Sequence, residues 1–286
     1  IDLFCGVGGL SYGFAHDSNF EIIAANEILP NMAKAYSLNH PTIKVYAEDI
    51  KNFNAEKIEK DLNIKATEID IVVGGPPCQA YSTVGKRLID DPRGKLFQEY
   101  YRVLKEFKPK LFLFENVKGL LSMQGGELLK TIISLFESLG YSVQYKLLNA
   151  ADFGAPQIRE RVVIIGSKLK NSFQYPSQTH YNIKEMPSLF KNGLKPYLTI
   201  EEAISDLPFI KSGEEGFEYS SKPRNGFQKI MRFRAPKKLM DHNAPHNNAQ
   251  LVKIMELLPD GGTPEDLPEE LRPKSGFKNT YCRLWW

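Results

Sequence analysis

The sequence predicts an α/β fold: a mixed, mostly parallel sheet with helices on both faces, followed by a smaller and more irregular domain. Three observations carry that expectation. Short apolar or β-branched runs alternate with amphipathic helical patterns from Ile1 to Ile165. A glycine-rich turn follows the first of those runs, where a doubly wound sheet keeps its ligand. After Gly166 the prolines accumulate and the strand-helix alternation stops, which predicts a domain boundary near residue 170, with 1–169 as the larger domain and 170–286 as the smaller.

The 286 residues are 42% hydrophobic and 25% charged, enough for one ample core and a second small one. No apolar run has the length of a membrane span and no signal-peptide pattern is visible. Cys5, Cys78 and Cys282 show no metal-ligand spacing, and so scattered a set predicts a reducing compartment, the cytoplasm, and no metal. The net charge of +3 neither demands nor excludes nucleic acid, so the distribution of charge has to decide. The chain opens at Ile1 inside an apparent strand and finishes on Leu284-Trp285-Trp286, which predicts a fragment or a subunit whose remainder lies elsewhere.

Ile1 to Phe4 reads as a buried strand, Cys5-Gly6-Val7-Gly8-Gly9-Leu10 as a turn, and the residues through Phe14 as a helix. Strand, glycine turn and helix N-terminus together suit a nucleotide-type cofactor, although a tight structural turn has the same pattern. Phe20 to Ala25 reads as the second strand and ends at Asn26-Glu27. An acid about 20 residues beyond the turn is placed for ribose hydroxyls; the competing role is a solvated strand end. Val45 to Ile50 reads as a third strand, with Asp49 either facing an adenine amino group or capping a helix, and Glu48 solvated. Ala55 to Leu62 reads as an exposed helix.

The chain is organised around Gly74-Gly75-Pro76-Pro77-Cys78-Gln79-Ala80-Tyr81-Ser82, which follows the apolar run Ile69 to Val73. Two glycines allow a tight exit from the sheet, and two prolines fix φ and remove two donors, so a thiol is delivered on a stiff loop. A lone cysteine is more often a small buried hydrophobe. The flanking prolines and the polar Gln79 and Ser82 argue against a core position. Thr83 to Lys95 carries Lys86, Arg87, Arg93 and Lys95 among polar residues and predicts a mobile lid over the thiol.

Leu96 to Phe107 has a helical apolar stripe, Leu111 to Phe114 is a buried strand ending at Glu115-Asn116-Val117, and Glu127 to Leu139 is an amphipathic helix stopped by Gly140. Strands are expected over Val143 to Leu148 and Val162 to Ile165, with a turn at Phe153 to Pro156. Between them Gln157-Ile158-Arg159-Glu160-Arg161 alternates, placing Arg159 and Arg161 on one face if extended, either solvated or binding an anion or base. In the smaller domain Lys222, Arg224, Lys229, Arg232, Arg234, Lys237 and Lys238 form a run with no acid, interleaved with Phe227 and Phe233. That is a phosphate-binding footprint, or a solvated basic face. His242 and His246 have helical spacing, but no partner completes a metal site, and a structural role is expected.

In this order the motifs resemble those of the DNA cytosine-C5 methyltransferases of bacterial restriction-modification type, a Rossmann-like fold dependent on S-adenosyl-L-methionine. Asp2-Leu3-Phe4-Cys5-Gly6-Val7-Gly8-Gly9 is similar to the cofactor turn, Pro76-Pro77-Cys78 to the nucleophile loop, Glu115-Asn116-Val117 to the Glu-Asn-Val triplet, and Gln157-x-Arg159-x-Arg161 to the Gln-x-Arg-x-Arg motif. Leu258 to Gly262 and Tyr281-x-Arg283-Leu284-x-Trp286 are similar to later stretches.

The resemblance implies that Phe4, Gly6, Gly8, Gly9, Leu10, Glu27, Ile28, Asp49, Ile50 and Pro77 bind S-adenosyl-L-methionine, with Phe4 against adenine. It implies Cys78 as the nucleophile, Glu115 as the group holding a proton to the ring, and Arg159 and Arg161 as ligands of O2 and nearby phosphate. Gln79, Ser82, Lys86, Arg87, Arg224, Lys229, Arg232 and Arg234 are the expected contacts to double-stranded DNA, whose target base must be flipped out. The 170–286 region would be a target-recognition domain lacking its second half and the family's last motifs. If the chain is the whole polypeptide, a second polypeptide would have to supply them; if it is a fragment, it would be inactive alone. The function implied is protection of DNA from a cognate restriction enzyme. A transfer-RNA cytosine methyltransferase and a non-enzymatic DNA-binding subunit are the competing readings.

Overall fold

The computed structural model describes residues 1–77, 96–170, 173–184, 193–233, 235–259 and 262–272. Cys78, Gln79, Ser82, Lys86, Arg87, Arg234, the expected lid and the Tyr281 to Trp286 motif lie outside the described residues.

In chain order the elements are β1 (Asp2–Leu3), α1 (Tyr12–Ala15), β2 (Ala24–Asn26), α2 (Pro30–Asn39), β3 (Lys44–Tyr46), α3 (Ala55–Leu62) and β4 (Ile71–Gly74). Then follow α4 (Leu96–Phe107), β5 (Leu111–Val117), α5 (Glu127–Ser138), β6 (Ser142–Asn149) and β7 (Glu160–Ser167). Seven strands form one sheet in the order β3-β2-β1-β4-β5-β7-β6, parallel except for the antiparallel β5–β7 and β7–β6 pairs. The mixed, mostly parallel sheet is the fold expected from the alternating pattern.

Several boundaries move, for reasons visible in the pairing. β1 stops at Leu3 because Phe4 takes a left-handed conformation (φ 55°). Its neighbour β2 can therefore pair only through Asp2↔Ala25 and Leu3↔Asn26, and forms later than the apolar run at residues 20–25. β3 ends at Tyr46 rather than Ile50, since Asp49 turns the chain by accepting a hydrogen bond from Lys51 N. Glu48 is not solvated as expected: it is ion-paired with Lys57 at 2.5 Å. β5 runs on through Glu115 and Asn116 to Val117, because β7 pairs with it along its whole length. Glu115 thus lies within the strand and not just at its end.

The core is one apolar cluster around the sheet. Tyr100 of α4 is fully buried and meets Phe114 edge-on with ring centroids 5.2 Å apart. Its hydroxyl shares a proton between Val72 O at 3.1 Å and Leu113 O at 2.9 Å, joining β4 to β5. The stripe read from Leu96 to Phe107 buries Tyr100, Val103, Leu104 and Phe107.

Two compact units are present, Ile1–Tyr197 and Leu198–Trp286. The boundary falls later than the composition shift near residue 170. The two-stranded pair β8 (His180–Tyr181) and β9 (Lys195–Pro196) belongs to the first unit, because Thr179 N donates to Asp152 O at 2.8 Å and Tyr197 OH donates to Asp152 Oδ1. The second unit contains α6 (Ile200–Ile204), α7 (Gly226–Met231) and α8 (Ala249–Leu257). Its small core is Ile254, Leu258, Leu267 and Leu271.

Candidate active site

The strand order reverses between β1 and β4, and a crevice at that reversal is where open α/β sheets bind ligands. Two loops leave the sheet there. Leu3 pairs with Gly74, so the turn at Cys5 to Leu10 and the exit at Gly75-Pro76-Pro77 start side by side.

The first loop is bound to β2 through Glu27. The carboxylate accepts from Gly6 N and from Leu29 N, both at 2.9 Å, and Glu27 is buried. It is therefore a built part of the turn and not a solvated strand end. Gly8 has φ +95°, and a Cβ there would lie 2.7 Å from Nε2 of the buried His40. Asn39 Nδ2 donates to Val7 O at 3.0 Å, so the C-terminal pair of α2 holds the turn from one side. Gly6 and Gly9, in contrast, have open space where a Cβ would project. Behind the turn Ser11 Oγ donates to Asp2 Oδ2 at 2.6 Å. Burial pushes the Asp2 carboxyl up to about 6, against the lowering effects of the Ser11 hydrogen bond and the amino terminus. Phe4 and Leu10 are half-buried, Ile28 is exposed, and Asp49 is half-buried as the cap described above. Ile50 does not face a ligand with its side chain, which is packed in the main core.

The second loop meets β5. Gly74 pairs with Phe114, so Glu115 stands level with Gly75, and a Cβ on Gly75 would lie 2.8 Å from Glu115 Oε2. A side chain at residue 75 would have to displace the Glu115 carboxylate. The buried Asn116 donates from Nδ2 to Pro76 O at 3.1 Å, while its Oδ1 accepts from Val117 N at 2.9 Å. Pro77, the last described residue before Cys78, is exposed.

β7 supplies the arginine. Arg161 Nε lies 2.8 Å from Glu115 Oε1, with both side chains about a quarter exposed (26% and 28%), and Arg161 Nη1 donates to Glu160 O at 2.8 Å. Arg159 lies one residue before the strand. Its N–H is held by Asn149 Oδ1 at 3.0 Å and its side chain is exposed. The structure thus brings together Glu115, Arg161, Gly75 and Asn116, with the glycine turn beginning at the neighbouring strand. Asn149 and His40 were missed from sequence. An Asn at a strand end and a His at a helix end carry no distinguishing local signal.

The basic run divides. Arg224 and Lys229 are exposed, with Arg224 Nε donating to Ser221 Oγ at 3.1 Å. Arg232, expected to face phosphate, is committed inside its own unit. Its guanidinium sits 3.6 Å from the Tyr219 ring centroid and pairs with the buried Asp206 at 3.1 Å. The internal carboxylate takes its charge. His242 is structural, its Nε2 within 2.9 Å of Pro208 O. Among the described residues no three His, Cys, Asp or Glu side chains gather as a metal site, and no helix is long and apolar enough to cross a membrane.

A crevice at the strand-order reversal, with a carboxylate-bound glycine turn after β1 and a Glu–Arg pair on β5 and β7, is the site of an α/β enzyme. The chain belongs to the C-5 cytosine-specific DNA methylase family, whose model matches residues 1–259. It is 35% identical over 310 aligned positions to the Type II methyltransferase M.AgeI of Thalassovita gelatinovora, covering 99% of this chain and 72% of that protein. It is 34% identical to M1.HphI of Haemophilus parahaemolyticus, covering 99% of this chain and 67% of that one. To M.AquIA of Picosynechococcus it is 42% identical over 219 residues, 73% of this chain and 88% of that protein. Among solved structures it is similar to a protein described as a DNA modification methyltransferase encoded within an E. coli prophage. The TM-score is 0.61 and the identity 28%, covering 82% of this chain and 64% of that one.

Proposed function

We propose that this chain transfers a methyl group from S-adenosyl-L-methionine to C5 of a cytosine flipped out of duplex DNA, and so protects a specific sequence from a cognate restriction enzyme. The observation that carries the reading is the Glu115–Arg161 pair beside Gly75, on the strand next to the one that runs into Cys78.

The cofactor crevice suits the donor. The Glu27 carboxylate is bound to a turn whose Gly6 and Gly9 leave backbone open to a close ligand, and Asp49 closes the strand two places along the sheet. A methylsulfonium cation with a ribose diol fits an acidic, hydroxyl-binding crevice, and it supplies an electrophilic methyl group. C5 of cytosine is a weak nucleophile. Addition of the Cys78 thiolate to C6 makes the ring an enamine, and C5 can then take the methyl group. Loss of the C5 proton and expulsion of the thiolate restore aromaticity.

Glu115 holds N3 through a proton, and Arg161 faces O2, where charge develops on addition. The ion pair fixes both side chains before substrate arrives, which lowers the cost of orienting them. Asn116 holds Pro76 and so sets the origin of the cysteine loop. The Leu198–Trp286 unit, with Arg224 and Lys229 on its surface, contacts the DNA.

Duplex DNA carrying 5-fluorocytosine tests the reaction, because fluorine at C5 blocks the final elimination and leaves the adduct. A covalent complex that requires S-adenosyl-L-methionine and disappears in Cys78→Ser supports the proposal. Methyl label appearing on transfer RNA and not on duplex DNA would replace it with the RNA reading. DNA binding with no adduct would leave a binding subunit.

A further inference from the structure

We propose that Asn149 is a positioning residue for the two arginines, clasping the loop that presents Arg159 and fixing the strand that presents Arg161. The inference rests on the substrate-binding role given above to those arginines. β6 and β7 form an antiparallel pair whose last rung is Asn149↔Glu160. Beyond it the chain makes an excursion and returns at Arg159. A single side-chain oxygen closes that excursion: Asn149 Oδ1 accepts from Ala151 N at 3.3 Å on the outgoing leg and from Arg159 N at 3.0 Å on the returning leg. An amide oxygen has two lone pairs, so both donors can be served at once. The Arg159 carbonyl is held as well, accepting from Ala150 N at 3.0 Å. Both backbone polar groups of Arg159 are thereby fixed, while its guanidinium has no hydrogen-bond or ion-pair partner among the described residues.

The far end of the loop has a separate brace. The His180 ring lies 2.7 Å from where a Gly154 Cβ would be, and Thr179 N holds Asp152 O. The loop tip is therefore secured without Asn149, and the clasp acts on the strand entry. Register itself is set by the full ladders of β7 with β5 and β6, and the clasp carries the second of them one position further, to Arg159. Arg161 pairs with Val117 and lies diagonally on the face of Glu115, and a slip of one residue would turn Arg161 to the opposite face.

The test compares Asn149→Ala, which removes the acceptor, with Asn149→Asp, which keeps two acceptor lone pairs in the same shape. Backbone hydrogen exchange at Arg159, S-adenosyl-L-methionine affinity and turnover on duplex DNA are measured for each. Asn149→Ala should exchange faster at Arg159 and lose roughly 10- to 100-fold in kcat, with cofactor affinity within about threefold of wild type. Asn149→Asp should recover most of both losses. Wild-type exchange and turnover in Asn149→Ala would overturn the proposal, as would an Asp variant as impaired as the Ala variant. A wild-type chain that methylates nothing, with the exchange difference intact, supports the clasp and overturns the reading of the reaction.

Discussion

Arg161 Nε and Glu115 Oε1 are 2.8 Å apart although the two residues are not ladder partners; Glu115 pairs with Val163, and Arg161 with Val117. The contact is a diagonal across an antiparallel pair, on the face that also meets Gly75. Glu115→Gln keeps the shape and replaces the ionisable carboxyl by an amide that cannot act as an acid or base. Turnover should fall about 100-fold or more, in the range of a lost general acid or base. Affinity for duplex DNA should change little. Equal losses in the two measurements would contradict the assignment.

Asn116→Ala should destabilise the first unit by about 1–3 kcal/mol, because the buried Pro76 carbonyl loses its donor and Val117 N its acceptor. Denaturant unfolding reads the loss. A neutral result would mean that Pro76 is held by something else.

Gly8→Ala should abolish measurable S-adenosyl-L-methionine binding in calorimetry while the chain stays folded. Its Cβ would meet the His40 ring at 2.7 Å, and φ +95° disfavours any side chain. Adding His40→Ala should recover only part of the affinity, since it relieves the contact but not the backbone strain.

Lys229 and Arg232 should separate in a salt titration. Lys229→Ala should reduce the slope of log K against log salt by about 0.9, the signature of one lost phosphate contact. Arg232→Lys should leave the slope unchanged and lower stability, because a lysine cannot reproduce the stacked guanidinium on Tyr219 and Asp206. A lower slope in Arg232→Lys would restore it as a DNA contact.

Asp2 gives a pH dependence of stability. Its folded value of about 6 lies above the ordinary 3.8, with burial the main cause. Between those values the folded chain binds the proton and the unfolded chain does not. Stability should therefore decrease as pH rises from about 4 to about 6, by up to about 3 kcal/mol from this group. Asp2→Asn should remove that slope.

Much of the first unit was legible in the sequence, and the reasons differ between elements. α4 begins and ends where its apolar stripe does, since that pattern is set by one helix face, and α3 spans the charged stretch read as an exposed helix. Glu115 was expected at the carboxyl end of its strand, because the four apolar residues stop at Phe114. Its place inside β5 depends on pairing with β7, distant in sequence. The two arginines were read together from their alternation, and the ion pair of Arg161 with Glu115, a residue distant in sequence, separates them. Arg232 was grouped with its basic neighbours because Tyr219 and Asp206, which take its charge, come earlier in the chain. The boundary at Tyr197 was hidden because composition changes before the packing does.

Tyr100 and Asn116 have a joint consequence for the chain between Pro77 and Leu96. Asn116 ties Pro76 to β5 at one end, and the Tyr100 hydroxyl bolts the start of α4 to β4 and β5 at the other. Both tether points belong to the same strand pair, so the separation of the segment's ends is independent of its length. The anchor at Pro76 and the anchor at Leu96 are therefore properties of the sheet, and a substitution that frees Asn116 or Tyr100 should release one anchor without the other.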